Sequence, residues 1–182
     1  MSLSVELLGP VEPQVPPVGP YWDVLVAVDR EFVPHLSSRG STTAKSLDGA
    51  EAPTGPVGYY AAVCAQWGLL ARQDGQPAGL MSFLPHHHDE ALGPFCPATY
   101  LSTLAVLPAY RRGGLARQLY ARLIEHSERI GDVAVATRTW STNVGHLDLL
   151  GQLGFVQTAR LAGHRGPGVD TLYLARPLKR GG

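Results

Sequence analysis

Hydrophobic positions along the chain fall into short blocks whose period changes from block to block. Residues 2–8 alternate roughly between apolar and polar, as an edge strand does. Residues 9–20 are rich in proline and predict an extended loop. Over 21–33 the period lengthens: Trp22, Leu25, Val26, Val28 and Phe32 make an apolar stripe, Asp23 sits in the first turn and Pro34 stops the pattern. That span predicts a helix. Residues 35–55 are polar and rich in Ser, Thr and Gly, hence a loop. Residues 58–67, small and apolar, predict a second helix. Strand-like runs at 69–73 and 78–84 flank Asp74-Gly75-Gln76-Pro77, a hairpin signal. Residues 85–97 predict a loop.

The next block is the centre of the pattern. Residues 98–107 read as a buried strand, expected to pair antiparallel with 78–84, and Pro108 ends it because proline cannot donate to a ladder. A helix follows over 113–130, with Leu115, Ala116, Leu119, Leu123 and Ile124 on one broad face and Gly131 as its C-cap. Residues 132–139 predict a short strand parallel to 98–107, joined by a right-handed crossover. A helix over 143–153 comes next, with Thr142 or Ser141 as N-cap. Strands to Leu161 and over 169–175 close the chain, separated by a Gly-rich loop at 162–168.

Composition narrows the class. The 182 residues fit one domain, with length enough for a sizeable core. Net charge is zero, which argues against nucleic acid and against an anionic membrane surface. No apolar run is long enough to span a bilayer, and the N-terminus lacks the basic and apolar regions of a secretory signal. Cys64 and Cys96 are too few for a disulfide framework and predict reduced thiols in a cytoplasmic protein.

Candidate chemistry gathers between the central strand and its helix. Arg111-Arg112-Gly113-Gly114-Leu115-Ala116 places two full charges and two glycines at a helix start. Unpaired first-turn N–H groups, the helix dipole and glycine's tolerance of close approach together hold phosphate. Neither a Gly-Lys-Ser/Thr P-loop nor a dinucleotide Gly-x-Gly-x-x-Gly is present. Val106-x-Pro108-x-x-Arg111-Arg112-x-Gly114-x-Ala116 resembles the acyl-CoA signature of the GNAT superfamily of N-acyltransferases. The run from Asn143 to Gly154-Phe155 resembles that superfamily's second hallmark. Asn143 is the sole asparagine of the chain. It also reads as a helix cap, and the two roles are compatible.

The resemblance covers residues 69–175 and implies an α/β (α+β) fold: one mixed, mostly antiparallel, twisted sheet of about six to seven strands with about four helices. It implies a single N-acetyltransferase domain over 1–182, with 1–68 as the variable acceptor side and 69–175 as the acyl-CoA-binding core. Acetyl-CoA is the implied cosubstrate, without a metal. Arg111, Arg112, Gly113, Gly114, Leu115 and Ala116 would hold the pyrophosphate, Asn143 and Ser141 the pantetheine. Backbone N–H groups of Leu104, Ala105 and Val106 would polarise the thioester carbonyl. The implied reaction is transfer of acetyl to a small-molecule primary amine. Alternatives are a protein N-acetyltransferase, a non-catalytic acyl-CoA-binding module and a nucleotide-binding domain. Family members are often dimers, so a homodimer is implied.

One position departs from the family. Leu150 stands where many members carry the Tyr that protonates the departing thiolate. A thiol pKa of about 8.5 makes thiolate a fair leaving group without that acid. Candidates for the proton chemistry are His86 and His88 in the 85–97 loop, Asp170 and Tyr173. Each also has an ordinary structural reading, and adjacent histidines are weak evidence for a metal. Tyr120 and Ser141 are further candidates for the acid, and His146 reads as an exposed helix residue.

Overall fold

The computed structural model describes residues 2–43 and 55–179, so most of the loop expected over 35–55 lies outside the described residues. Seven strands form one sheet: β1 (Leu3–Leu8), β2 (Trp67–Gln73), β3 (Gln76–His87), β4 (Ala98–Val106), β5 (Ala134–Trp140), β6 (Val156–Leu161) and β7 (Thr171–Pro177). Their order is β1-β2-β3-β4-β5-β7-β6. The described α-helices are α1 (Pro20–Val28), α2 (Val57–Cys64), α3 (Leu115–Ile130) and α4 (Val144–Gln152). The expected sheet and helix count therefore hold. The chain divides into two compact units, Met1–Phe83 with Ser102–Tyr120, and Leu84–Leu101 with Ala121–Gly182.

In the first unit β1 runs antiparallel along β2, and β2 along β3. Asp74 and Gly75 make the hairpin turn at φ 48° and 80°, a conformation that suits Asp-Gly. Leu107 N–H donates to Ala78 O at 2.9 Å, and Ser82 Oγ lies 2.9 Å from Ser102 Oγ, so β3 and β4 run antiparallel. The helices α1 and α2 bury Val24, Leu25, Tyr59 and Val63 against Leu70, Leu80 and Ala105. Gly68 makes α1's approach possible: a Cβ there would lie 2.2 Å from the Tyr21 hydroxyl. Tyr21 is buried, its hydroxyl has no hydrogen-bond partner among the described residues, and burial pushes its pKa up to about 12.

Two boundaries differ from expectation here. The first helix stops at Val28 rather than running to 33. Asp29 is buried and its carboxylate accepts the Ser37 N–H at 2.7 Å, which draws the chain into a 3-10 turn at Asp29–Glu31. The second helix stops at Cys64, and Trp67 opens β2 instead. Between them the Gln66 N–H turns back to Val63 O.

In the second unit β4 and β5 are parallel, Ala98 to Leu101 facing Ala134 to Thr137. The crossover helix α3 ends at Gly131, φ 80°, as its sequence position demands. Strands β5, β7 and β6 continue antiparallel. On one face Ala98, Tyr100, Ala134, Ala136, Tyr173 and Ala175 form a core closed by Leu92. Leu92 belongs to a 3-10 segment, Glu90–Phe95, inside the region expected to be loop. The other correction concerns β3, which runs on to His87 rather than ending at 84. The carboxylate of Asp132 fixes it there. Asp132 accepts the His86 N–H at 3.2 Å and meets the ring Nδ1 at 2.8 Å, while Thr99 Oγ1 donates at 2.6 Å.

Candidate active site

At the end of β4 the backbone is pressed against its neighbour. A Cβ at Gly79 would stand 2.7 Å from Ala105 O, so glycine is what lets β3 lie close at that point. Ala105 is buried under the helical cluster, while Leu104 and Val106 are half-buried. A 3-10 turn at Pro108–Tyr110 then leads into the four residues before α3. Arg111 donates from Nε to Val106 O at 2.9 Å and from Nη2 to Glu31 Oε2 at 2.5 Å. Arg112 is exposed at φ 64° and has no partner among the described residues. Exposed Gly113 and Gly114 follow, Gly114 at φ 80°. Left-handed residues at 112 and 114 turn successive N–H groups inward, and the first turn of α3 adds its own orphan donors and the positive end of its dipole. The result is a cradle of backbone over residues 111–116 with one uncommitted guanidinium beside it. Of the arginine pair expected to grip pyrophosphate, Arg111 is held by Glu31 in this state and Arg112 is not.

Beside the same stretch of β4 runs a polar chain that the sequence did not disclose. Ser102 Oγ donates to Gln66 Oε1 at 2.5 Å and lies against Ser82 Oγ; Gln66 Nε2 donates to Thr42 Oγ1 at 2.6 Å. Thr103 Oγ1 pairs with the fully buried Tyr59 hydroxyl at 2.9 Å. The available signal was the run of hydroxyls, Ser82, Ser102 and Thr103, inside otherwise apolar strands. Their partners on α2 and after it, Tyr59 and Gln66, are 44 and 36 residues away in sequence, which periodicity cannot read.

In the second unit Asn143 stands at the start of α4, in place of the expected Ser141 or Thr142, but its side chain does not cap the helix. Its amide Nδ2 donates to Thr139 Oγ1 at 3.1 Å. The His146 ring Nδ1 lies 3.3 Å from the same hydroxyl. His146 is thus turned inward rather than exposed, and desolvation lowers its pKa to about 4, so it is neutral at physiological pH. Leu150 is fully buried and serves packing. Tyr120 is fully buried too, and burial raises its phenol well above the usual range.

The remaining candidates are spread over that unit. Asp170 accepts from Gly163 N–H at 2.8 Å and from Arg160 Nε at 2.6 Å, with Arg160 Nη2 also in contact. Those two partners hold its carboxyl below the ordinary range, which makes it a weak base. Ser141 and Asp170 exchange bonds: Ser141 N–H donates to Asp170 O, and Asp170 N–H to Ser141 Oγ, both at 3.0 Å. Tyr173 is buried, with Arg138 Nη1 3.5 Å from its hydroxyl. His86 is engaged with Asp132 beside the first residues of β4, and His88 is exposed between β3 and the 3-10 segment. No group of three His, Cys, Asp or Glu side chains able to hold a metal occurs among the described residues. Nor is any described helix long and apolar enough to cross a membrane.

Residues 48–155, more than half of the chain, match the acetyltransferase (GNAT) family. The chain belongs to that family. Among solved structures, N-acetyltransferase from Staphylococcus aureus Mu50 aligns over 98% of this GNAT chain and 100% of its own, at 12% identity and TM-score 0.65. YncA from Salmonella typhimurium, solved with its cofactor acetyl-CoA, aligns over 100% and 97%, at 17% identity and TM-score 0.63. Ribosomal-protein-alanine N-acetyltransferase from Brucella melitensis covers 62% of this chain and 69% of its own, at 25% identity and TM-score 0.52. No curated protein matches the chain. The cradle of residues 111–116, α3 and α4 through Phe155 all fall inside the family match.

Proposed function

We propose that this acetyltransferase moves an acetyl group from acetyl-CoA to the primary amine of a small molecule. The observation that carries the reading is the cradle, with Arg112 outward at φ 64° beside two glycines and the first turn of α3. The residues fit the group. Backbone N–H groups of residues 113–116 and the Arg112 guanidinium match a pyrophosphate, and the side-chain carbonyl oxygen of Asn143, whose Nδ2 is taken up by Thr139, matches an amide N–H of pantetheine. Ser141 serves that arm as well in this reading. The acetyl-CoA-binding core is residues 69–175, with 1–68 on the acceptor side.

The reaction is a direct displacement. The amine nitrogen bonds to the acetyl carbon, the C–S bond breaks, the sulfur leaves as thiolate and takes a proton, and the nitrogen gives one up. Backbone N–H groups of Leu104, Ala105 and Val106 take the developing oxyanion. Positioning both reactants supplies much of the rate. Asp170 and His86 are committed to Arg160, Gly163 and Asp132. Tyr173 and His88 are then the groups left to move a proton.

The test is CoA release from acetyl-CoA, read with a thiol-reactive dye, across a panel of small amines and of peptides. Release with small amines, and its loss in Arg112→Glu together with weakened acetyl-CoA binding, is the expected result. Release only with peptides would instead favour a protein acceptor, the specificity named for the Brucella neighbour. Tight binding of acetyl-CoA without turnover on any amine would favour a non-catalytic module. Family likeness also supports a homodimer, which sedimentation tests.

A further inference from the structure

Asparagine at the residue just before a helix ordinarily spends its side chain on that helix, accepting an N–H of the first turn. Asn143 stands at that place before α4 and makes no such bond. Its backbone is held on both sides: its N–H donates to Trp140 O and its carbonyl oxygen accepts the Leu147 N–H, both at 3.0 Å. The side chain turns back to β5 instead, where Nδ2 donates to Thr139 Oγ1 at 3.1 Å. Oδ1 accepts no bond among the described residues, and Asn143 is only half-buried, so that oxygen stays open to a ligand. A residue that forgoes a favourable local bond is expected where function needs its polar group elsewhere.

Thr139 makes the orientation of that amide definite. It is 1% exposed and lies in β5 opposite Leu172 of β7, so the sheet and not a loop sets where its hydroxyl stands. His146, in the first turn of α4, brings its ring Nδ1 to 3.3 Å from the same hydroxyl, which is thus held from two sides. Desolvation keeps that ring neutral, so it sets no charge beside Asn143. The end of the strand is pinned as well, by the reciprocal bonds of Ser141 and Asp170. A side-chain amide has two ends of opposite character, an oxygen that accepts and a nitrogen that donates. With the nitrogen taken by Thr139, the oxygen is the end on offer. Turned over, the same side chain would present a donor and refuse an incoming N–H.

We infer that Thr139 is a positioning residue for the cosubstrate: its hydroxyl fixes the Asn143 amide with the oxygen on offer, so that an amide N–H of the pantetheine arm meets an acceptor and not a donor. The inference rests on the acetyl-CoA reading and adds the residue that orients the contact with the arm. Thr139 touches no ligand itself and acts through Asn143.

The experiment measures by calorimetry the Kd of acetyl-CoA and that of adenosine 3′,5′-bisphosphate, which carries phosphates but no pantetheine arm. In Thr139→Val, which nearly keeps the shape and removes the hydroxyl, the Kd of acetyl-CoA should rise about 3- to 10-fold, the size of one hydrogen bond. The Kd of the bisphosphate should stay at its wild-type value. Thr139→Ser restores a hydroxyl and should recover most of the lost affinity. In an Asn143→Ala background Thr139→Val should have no further effect on acetyl-CoA, because a residue that acts through another loses its influence with it. A role in packing alone would move Tm but neither the split between the two ligands nor this coupling. Thr139→Val binding acetyl-CoA as the wild type does overturns the inference while leaving the acetyl-CoA reading standing. So does equal weakening of both ligands, or an effect that adds in full to that of Asn143→Ala. Failure of the wild type to bind acetyl-CoA at all sinks the underlying reading and this inference with it. Circular dichroism and Tm of each variant separate these outcomes from misfolding.

Discussion

His146 carries the clearest pH signature of any single side chain here. Its folded pKa of about 4 lies below the ordinary 6.5, because the imidazolium is desolvated beside Thr139. A lowered folded pKa means that its stabilising contribution is complete above pH 6.5 and is lost as pH falls toward 4. The shift corresponds to roughly 3 kcal/mol at most. Urea titrations at pH 7 and pH 4.5 should therefore show a marked loss for the wild type and a smaller one for His146→Gln. A loss that is the same in both proteins would remove His146 from the account. Asp170 follows the same sign over a lower window. Its carboxyl is held down by Gly163 N–H and Arg160, so its share is present at neutral pH and disappears as pH drops through and below the usual carboxylate range. Asp170→Asn should loosen the 162–168 loop at neutral pH, seen as faster amide exchange there.

Elements set the next level. α1 lies on β2 because Gly68 leaves room for the Tyr21 ring, whose hydroxyl is buried without a partner. Gly68→Ala should cost about 1–3 kcal/mol by overpacking. Tyr21→Phe removes an unsatisfied hydroxyl and should be neutral or mildly stabilising. In the double variant the Ala penalty should shrink, since the atom nearest the new methyl is gone. Full additivity in denaturant melts would contradict that geometry. These contacts also mark what the sequence disclosed. α3 was legible because a broad apolar stripe repeats over four turns, and the cradle because its charges, glycines and helix start are contiguous. The end of α1 was not, since it depends on Asp29 reaching Ser37. The extension of β3 was not, since Pro85 and three histidines read as loop and the group that straightens them, Asp132, lies 46 residues from His86. The Arg165 guanidinium stands 5.5 Å from the centre of the Trp140 ring only through the loop between β6 and β7, which a one-dimensional pattern does not contain.

For the whole molecule the decisive number is a net charge of zero. No general field draws in an anionic cosubstrate, so its capture depends on local charges, and Arg112→Glu inverts an exposed and uncommitted one. At acetyl-CoA a hundred times its Kd the wild type should gain about 2.7 kcal/mol. For a chain of this length that raises Tm by roughly 5–10 °C. Arg112→Glu should show little of that rise at the same concentration, and an equal rise would move the phosphates elsewhere. The other arginine gives the cradle a reserve. Arg111 is clasped to Glu31, and both side chains are about 40% exposed. Such a surface pair is worth under about 1 kcal/mol. It behaves as a spring catch: strong enough to park the guanidinium when the site is empty, weak enough for an arriving diphosphate to release it. On the proposed reading, unparking would hand the ligand a second cation at small expense and set Glu31 loose in the 3-10 turn after α1. Freed of its catch by Glu31→Gln, the protein should hold acetyl-CoA more tightly, never less.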